Sequence, residues 1–495
     1  MTGVWPGSLL VNVWQASSSL PSRPALASEE EESVDQMTLG IDVACRAAHQ
    51  ASLADERGRF AWTGRRLRTT AADLERLWAQ VPAGAKLTVV MEPTRNAWVP
   101  LAAWFRRRGA VVILVPPEQS ADLRDYYSKH AKSDHLDSRM LARLPLLHPE
   151  GLRPSPGLGP ADGLRRATKL RASLVKRRST ILARLDAYLE LLGPAWHAAL
   201  GGDLALNTPL RFLAAGYADP HALRRLGKTR LARFIWRYSH GAWGEQHATR
   251  LLAAAAETLQ LWDGELSYPD LAEDIATEAR LALQITTEIR DLEQKIAALL
   301  HDRDPAGIMT SAPGVGVINA AQILARLGDP ARFQSLAGAR SFTGLIPSLS
   351  ASGTSGHHGP PTKSGDAPLR EALFMAADQA RRTDPTLAAR YHRLMVHQGK
   401  HHNSALCHIS TVLLTRIIAC WRAGTPYQLR DTDGTPITPT QGRQIISQRY
   451  QISAELRAQR RTSHTSTRRR TGEERSRQAL RHQPASPHAT TRPPA

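Results

Sequence analysis

Residues 37–44 read Met-Thr-Leu-Gly-Ile-Asp-Val-Ala, and this stretch decides the fold of the first part of the chain. Thr38 to Ala44 has the short apolar run of a buried strand, with one ionisable side chain, Asp42, in its midst. A carboxylate in an apolar strand is costly unless it is paired or metal-bound, so Asp42 is the first candidate functional residue. Met37 directly precedes the strand and is an alternative start to Met1.

Working outward, Ala51–Ala54 and Phe60–Thr63 suggest two further strands around a turn at Glu56–Gly58. Ala71–Gln80 has helical spacing. Lys86–Met91 (KLTVVM) is a buried-type strand, Trp98–Arg108 a helix and Ala110–Val115 (AVVILV) another buried strand. Helices are expected around Ser120–Tyr127 and Leu136–Leu147. Three strands, helix, strand, helix, strand is the element order of the ribonuclease-H-like α/β fold, here assigned to residues 37–150.

Three more carboxylates fall at the ends of these elements. Glu92 ends the second buried strand in VVMEPT, where open α/β sheets place functional groups. Asp134 and Asp137 stand three apart in KSDHLDSRMLARL, on one face of a helix start. Converging carboxylates repel one another, and divalent cations relieve that repulsion. An all-oxygen set suits Mg²⁺, or Mn²⁺, better than zinc, and paired ions of this kind serve phosphoryl transfer. Taken singly, Asp134 also reads as an N-cap, Asp137 as a favourable first-turn acid and Glu92 as a loop residue before Pro93.

Charge points to the partner. The chain has 495 residues, 42% hydrophobic, and a formal net charge of +19. Such a basic excess favours a polyanion, because phosphate neutralisation releases condensed counterions. The three cysteines, Cys45, Cys407 and Cys420, form no CxxC pair, which argues against a disulfide framework or a structural zinc site and is compatible with a reducing cytosol. The longest apolar run, Thr411–Trp421, is interrupted by Arg416 and falls short of the roughly 20 residues of a membrane span.

Beyond residue 150 the pattern turns helical. Residues 161–301 read as a linker of two long helices, heptad-like in LALQITTEIRDLEQKIAALL, able to pair as a hairpin or with a second subunit. Residues 200–271 between them read as a separate helical insertion. Residues 305–425 form the last folded unit, opening on Ser311-Ala-Pro-Gly-Val-Gly316 before the helix Val317–Leu327. That opening is similar to a helix-hairpin-helix start, with Gly314 and Gly316 letting backbone N–H groups approach phosphate. The acidic first 36 residues and the stretch 451–495, whose residues 454–495 hold ten Arg against three acids, read as disordered tails.

Taken together, GIDVA, MEPT, KSDHLDSRMLA and the block APGVG…LGDPARF…FTGLIP…SASGTSG…KSGDAPLREALF resemble the DEDD-type insertion-sequence transposases and the related Piv-type DNA invertases. The resemblance covers about 37–147 and 308–424. It implies a RuvC-like domain whose metal-binding catalytic tetrad is Asp42, Glu92, Asp134 and Asp137. It also implies a C-terminal transposase domain whose serine nucleophile matches Ser352, with Ser355 in reserve. A structured guide RNA, DNA ends and target as partners, and a homodimer assembling to a tetramer are implied likewise. The chain departs from the family's usual pattern with Cys45-Arg46 after the first motif and EPTR around Glu92.

Ser350, Ser352 and Ser355 read as a flexible Gly/Ser loop. Lys132, Arg139, Lys363, Arg370 and Lys400 read as phosphate contacts, the last lying before the final helix, and ordinary solvated charge is the alternative for each. His392, His397, His401, His402 and His408 read as surface or nucleic-acid contacts. Besides a recombinase, the residues leave open an invertase, a hydrolytic junction nuclease and a non-catalytic nucleic-acid-binding protein.

Overall fold

The computed structural model describes residues 35–117, 119–120, 134–149, 152–155, 157–352 and 355–460. The expected helix around Ser120–Tyr127, Lys132, most of the acidic N-terminal extension and the tail beyond residue 460 lie outside the described residues, wholly or in large part. The chain divides into two compact units, at Leu158/Gly159.

In the first unit, strands β1 (Gln36–Asp42), β2 (His49–Asp55), β3 (Phe60–Leu67), β4 (Lys86–Met91) and β5 (Val111–Leu114) form one mixed sheet in the order β3-β2-β1-β4-β5. β1 is central, antiparallel to β2 and parallel to β4. The strand begins at Gln36, and Asp35 accepts from the Lys86 amide at 2.9 Å, so these two residues belong to the domain rather than to the extension.

Alternation along the central strands sorts their side chains to two faces. Leu39, Ile41, Val89, Met91 and Val112 share a core with α1 (Ala71–Trp78) and α2 (Trp98–Arg107), through Leu74, Leu77, Leu101 and Phe105. Each fully buried side chain there contributes about 1.5–3 kcal/mol. The opposite face carries Thr38, Gly40 and Asp42 of β1 and Val90 of β4. Val90, Ile113 and Val115 pack there on Leu141 and Leu144 of α3 (Asp134–Leu147).

The second unit starts with α4 (Asp162–Glu190). The helices α5 (Pro194–Ala199), α6 (Asn207–Ala214), α7 (Pro220–Leu226), α8 (Lys228–Tyr238) and α9 (Glu245–Trp262) lead to α10 (Tyr268–Arg303). Of the two pairings open for the long helices, the hairpin is the one formed: Arg171 meets Glu293 at 2.6 Å and Arg184 meets Glu278 at 3.1 Å, a descending register that only antiparallel helices give. Such surface pairs add little energy but mark the alignment. The 200–271 segment is helical as expected, yet not separate. Trp196, Phe212, Leu223, Ile235 and Leu251 share one core with Leu185 and Leu189 of α4 and Ile275 of α10.

The other ends of the same two helices belong to a second core, through Leu164, Ala167, Ile296 and Leu300. It is completed by α11 (Ile308–Ser311), α12 (Val317–Leu327), α13 (Leu336–Thr343), α14 (Ala367–Ala380), α15 (Pro385–His392) and α16 (His402–Ala423). α16 is long and apolar enough to cross a membrane by length and composition. It is instead the central core helix here, with Leu406, Ile409, Leu413, Leu414, Ile417 and Ile418 buried and Arg416 bound to the buried Asp384 at 3.0 Å.

The fold continues past residue 425. Tyr427 joins Asp384 and Arg416 in a buried network, α17 (Pro439–Arg449) opens with a Thr438/Gln441 capping box, and Ile452 enters the core. The helix that Lys400 directly precedes, α16, is therefore not the last one. The Gly/Ser loop is also corrected. Pro347–Ser352 (β6) and Ser355–Pro361 (β7) pair as an antiparallel hairpin with Ser352 opposite Ser355.

Candidate active site

Asp42 and Glu92 stand at equivalent places on neighbouring parallel strands. Ile41 is in register with Met91, so each acid follows directly on the last paired residue, with strands about 4.8 Å apart. The alternation that sends Gly40 and Val90 toward α3 carries both acids to that same face. Both are half-buried.

α3 brings the other two. Ser138 Oγ lies 2.9 Å from Ser52 Oγ, a buried contact, and Ser52 is paired with Gly40. Farther along the helix, Arg143 Nε donates to Gly58 O at 3.0 Å, in the β2–β3 turn at the opposite end of the strands. The helix therefore runs from the Asp42 end of β1 toward its beginning. Asp137 and, one turn earlier, Asp134 lie at the end of the sheet face that Asp42 and Glu92 occupy. Gly40 makes the approach possible: a Cβ there would lie 2.1 Å from Ser138 O and 2.3 Å from the Ala142 amide.

Two residues that the sequence reading missed hold this corner. Ser120, buried, donates through Oγ to Glu92 Oε2 at 2.5 Å and to Pro117 O at 3.0 Å. His49, also buried, accepts the Ala44 amide on Nδ1 at 3.1 Å and thereby ties down the turn that follows Asp42. That acceptor role leaves the proton on Nε2, which donates to Thr69 Oγ1 at 2.8 Å. Burial holds the imidazole below its ordinary pKa. A serine or histidine in a strand-rich region carries no periodic signal, so neither stood out.

Among the described residues, no group of three or more His, Cys, Asp and Glu side chains is already gathered around one point; the side chain of Asp134 is not among those described. The donor chemistry nonetheless fits a hard divalent cation, since every candidate ligand at this corner is a carboxylate oxygen.

The remaining sequence candidates are dispersed. Arg139 and Arg143 both lie over the Phe60 ring, at 4.9 and 4.4 Å. Gly314 has a positive φ of 75° and abuts α14, where a Cβ would meet Ala376 O at 2.4 Å. Internal packing thus accounts for that glycine. Gly316, by contrast, is exposed at the N-cap of α12 with open space around it. Arg370 Nη1 donates to Thr343 O at 2.9 Å and sits at the base of the β6–β7 hairpin, beside the exposed, left-handed Lys363. Ser352 is the last residue of β6. Of the five histidines, His402 bonds Tyr391 at 2.7 Å and His401 caps α16.

Comparison with known proteins finds two matched stretches, the first of which runs past the Leu158/Gly159 boundary into α4. Residues 39–194 match the transposase family DEDD_Tnp_IS110, and residues 306–392 match the transposase IS116/IS110/IS902 family. Both stretches are similar to transposase domains of the IS110 kind. It is 26% identical to the 43.6 kDa protein of insertion element IS110 of Streptomyces coelicolor over 72% of this chain and 86% of that one. It is 25% identical to the 44.8 kDa protein of IS116 of Streptomyces clavuligerus, over 69% and 82%. The 42 kDa protein of IS900 of Mycobacterium paratuberculosis is 30% identical over 47% and 59%. The first transposase match starts within β1 and covers all four acids; the second includes Ser352 and ends with α15.

Proposed function

We propose that this chain is the recombinase of an insertion element, cutting and rejoining DNA with Asp42, Glu92, Asp134 and Asp137 as metal ligands and Ser352 as nucleophile. The observation that carries the reading is the docking of α3 on Gly40, which sets two helix-borne acids at the end of the sheet occupied by two strand-borne acids. Bound Mg²⁺, or Mn²⁺, would supply charge neutralisation for phosphoryl transfer.

Ser352 Oγ attacks a DNA phosphorus; the serine–phosphorus ester bond forms and the bond to the departing DNA oxygen breaks. The serine proton passes to a basic carboxylate, and the departing oxygen takes up a proton as it leaves. Because the phosphoester is conserved, a strand end can reverse the step and join without ATP. The reading requires Ser352 to act together with the four acids, of its own subunit or another's. Further parts of the proposal are a guide RNA that selects the sites, and subunits that assemble as dimers and then tetramers.

The test is cleavage of element-end DNA by purified protein carrying its RNA. Asp42→Asn and Asp137→Asn are expected to abolish cleavage, as is chelation of Mg²⁺, while the melting temperature changes little. Unimpaired cleavage by both variants would sink the tetrad. Cleavage by Ser352→Ala as fast as by wild type would favour a hydrolytic nuclease.

A further inference from the structure

A pocket of about 400 Å³ opens between the end of α14, α15, α17 and the segment that follows α17. Its size falls in the roughly 300–1,000 Å³ range of small-ligand sites. Arg381, Arg382, Arg443 and Arg457 line it, together with Tyr391 and Tyr450. The acidic compensation is uneven. Asp378 takes both Arg381, at 2.6 Å, and Arg382, at 2.8 Å. Arg443 donates to the neutral Thr440 Oγ1 and Arg457 to the carbonyl of Ile452, and neither has an acidic partner among the described residues.

From this arrangement we infer that the pocket binds one nucleotide of a single-stranded nucleic acid, its base on the Tyr450 ring and its phosphate on Arg443 and Arg457. Two exposed guanidiniums without counter-charge call for an anion, and Arg presents a fork that fits phosphate. The half-exposed Tyr450 ring beside them calls for a planar partner. An acidic peptide satisfies the first demand and not the second. Arg443, Tyr450 and Arg457 all lie beyond residue 392, outside both matched transposase domains. The inference does not rest on the chemistry proposed for the acids, since it is read by binding alone.

The experiment uses the full chain, stripped of nucleic acid, with fluorescent 12-mers of oligo(dU) and oligo(rU) in an anisotropy titration. The same strands carrying 5-iodouracil are photocrosslinked, and the adduct is located by peptide mass spectrometry. Crosslinking at Tyr450 is expected. Tyr450→Ala should weaken binding about tenfold, while Tyr450→Phe, which keeps the ring, should bind like wild type. Arg443→Ala, an exposed change that leaves the fold intact, should flatten the plot of log affinity against log salt by about 0.7. With the Tyr450 crosslink and the variants behaving so, the tighter-binding of the two strands names the source, DNA or RNA. Crosslinks confined to other regions, an unchanged salt slope in Arg443→Ala, or equal displacement of the strand by inorganic phosphate or a poly-glutamate peptide would overturn the assignment.

Discussion

Gly40 and Ser138 touch backbone to backbone: the position a Cβ would take on Gly40 lies 2.1 Å from the Ser138 carbonyl oxygen. This contact lets α3 lie on the central strand and so joins the two halves of the carboxylate corner. Gly40→Ala forces the helix to lift. Such overpacking costs about 1–3 kcal/mol, and the expected result is a lowered melting temperature with DNA cleavage lost even in molecules that remain folded. Wild-type cleavage by Gly40→Ala would show that the acids do not depend on this docking.

Gly314 and Gly316 separate packing from binding within one short stretch. Gly314→Ala meets both a left-handed φ and the α14 backbone, so thermal melts should show clear destabilisation. Gly316→Ala has open space and an extended backbone, and should melt like wild type. A weaker affinity for DNA in Gly316→Ala alone, measured by anisotropy, is the expected sign of phosphate at the start of α12.

Much of this was legible in the sequence, and the exceptions have physical causes. β4 was read at its observed bounds, because an apolar run ended by a carboxylate and a proline is unambiguous. The hairpin bearing Ser352 was misread, since Ser and Gly are poor strand formers. The fold beyond residue 425 was missed because QLRDTDGTPITP looks like linker, while its anchors, Tyr427 and Ile452, are single residues without periodicity. The pairing of Ser120 with Glu92 joins residues 28 apart and depends on tertiary structure alone.

Ser120 positions Glu92 rather than reacting. Ser120→Ala removes one neutral-to-charged hydrogen bond, a stability change of about 1.5–3 kcal/mol. The expected kinetic effect is a cleavage rate roughly tenfold lower and a higher Mg²⁺ concentration for half-maximal rate, with Ser120→Thr restoring both. A merely structural serine would leave the Mg²⁺ dependence where it is in wild type.

Asp384 anchors the C-terminal lobe. It is 1% exposed and accepts from Arg416, the Tyr427 hydroxyl and the amides of Thr386 and Leu387. Asp384→Ala leaves those donors without their acceptor, and a loss of about 2–4 kcal/mol is expected in urea unfolding. Burial and the Asp384 charge push the Tyr427 hydroxyl well above the ordinary tyrosine range. The unfolded chain releases this proton near pH 10 whereas the folded one keeps it. The contribution is therefore whole below about pH 10 and falls as pH rises beyond it. Tyr427→Phe should flatten that alkaline decline; an identical decline in the variant would contradict the assignment.

The central claim of the proposal is that Ser352 is the nucleophile and that it depends on the metal-binding carboxylates, Asp42 among them. The most direct measurement incubates the protein, its RNA and end-labelled element DNA in Mg²⁺, quenches with denaturant, and looks for a covalent protein–DNA band whose peptide is then sequenced. The account predicts a phosphoserine linkage at Ser352, absent from both Ser352→Ala and Asp42→Asn. Cleavage with no adduct in the wild type, or an adduct that survives in Ser352→Ala, would contradict it.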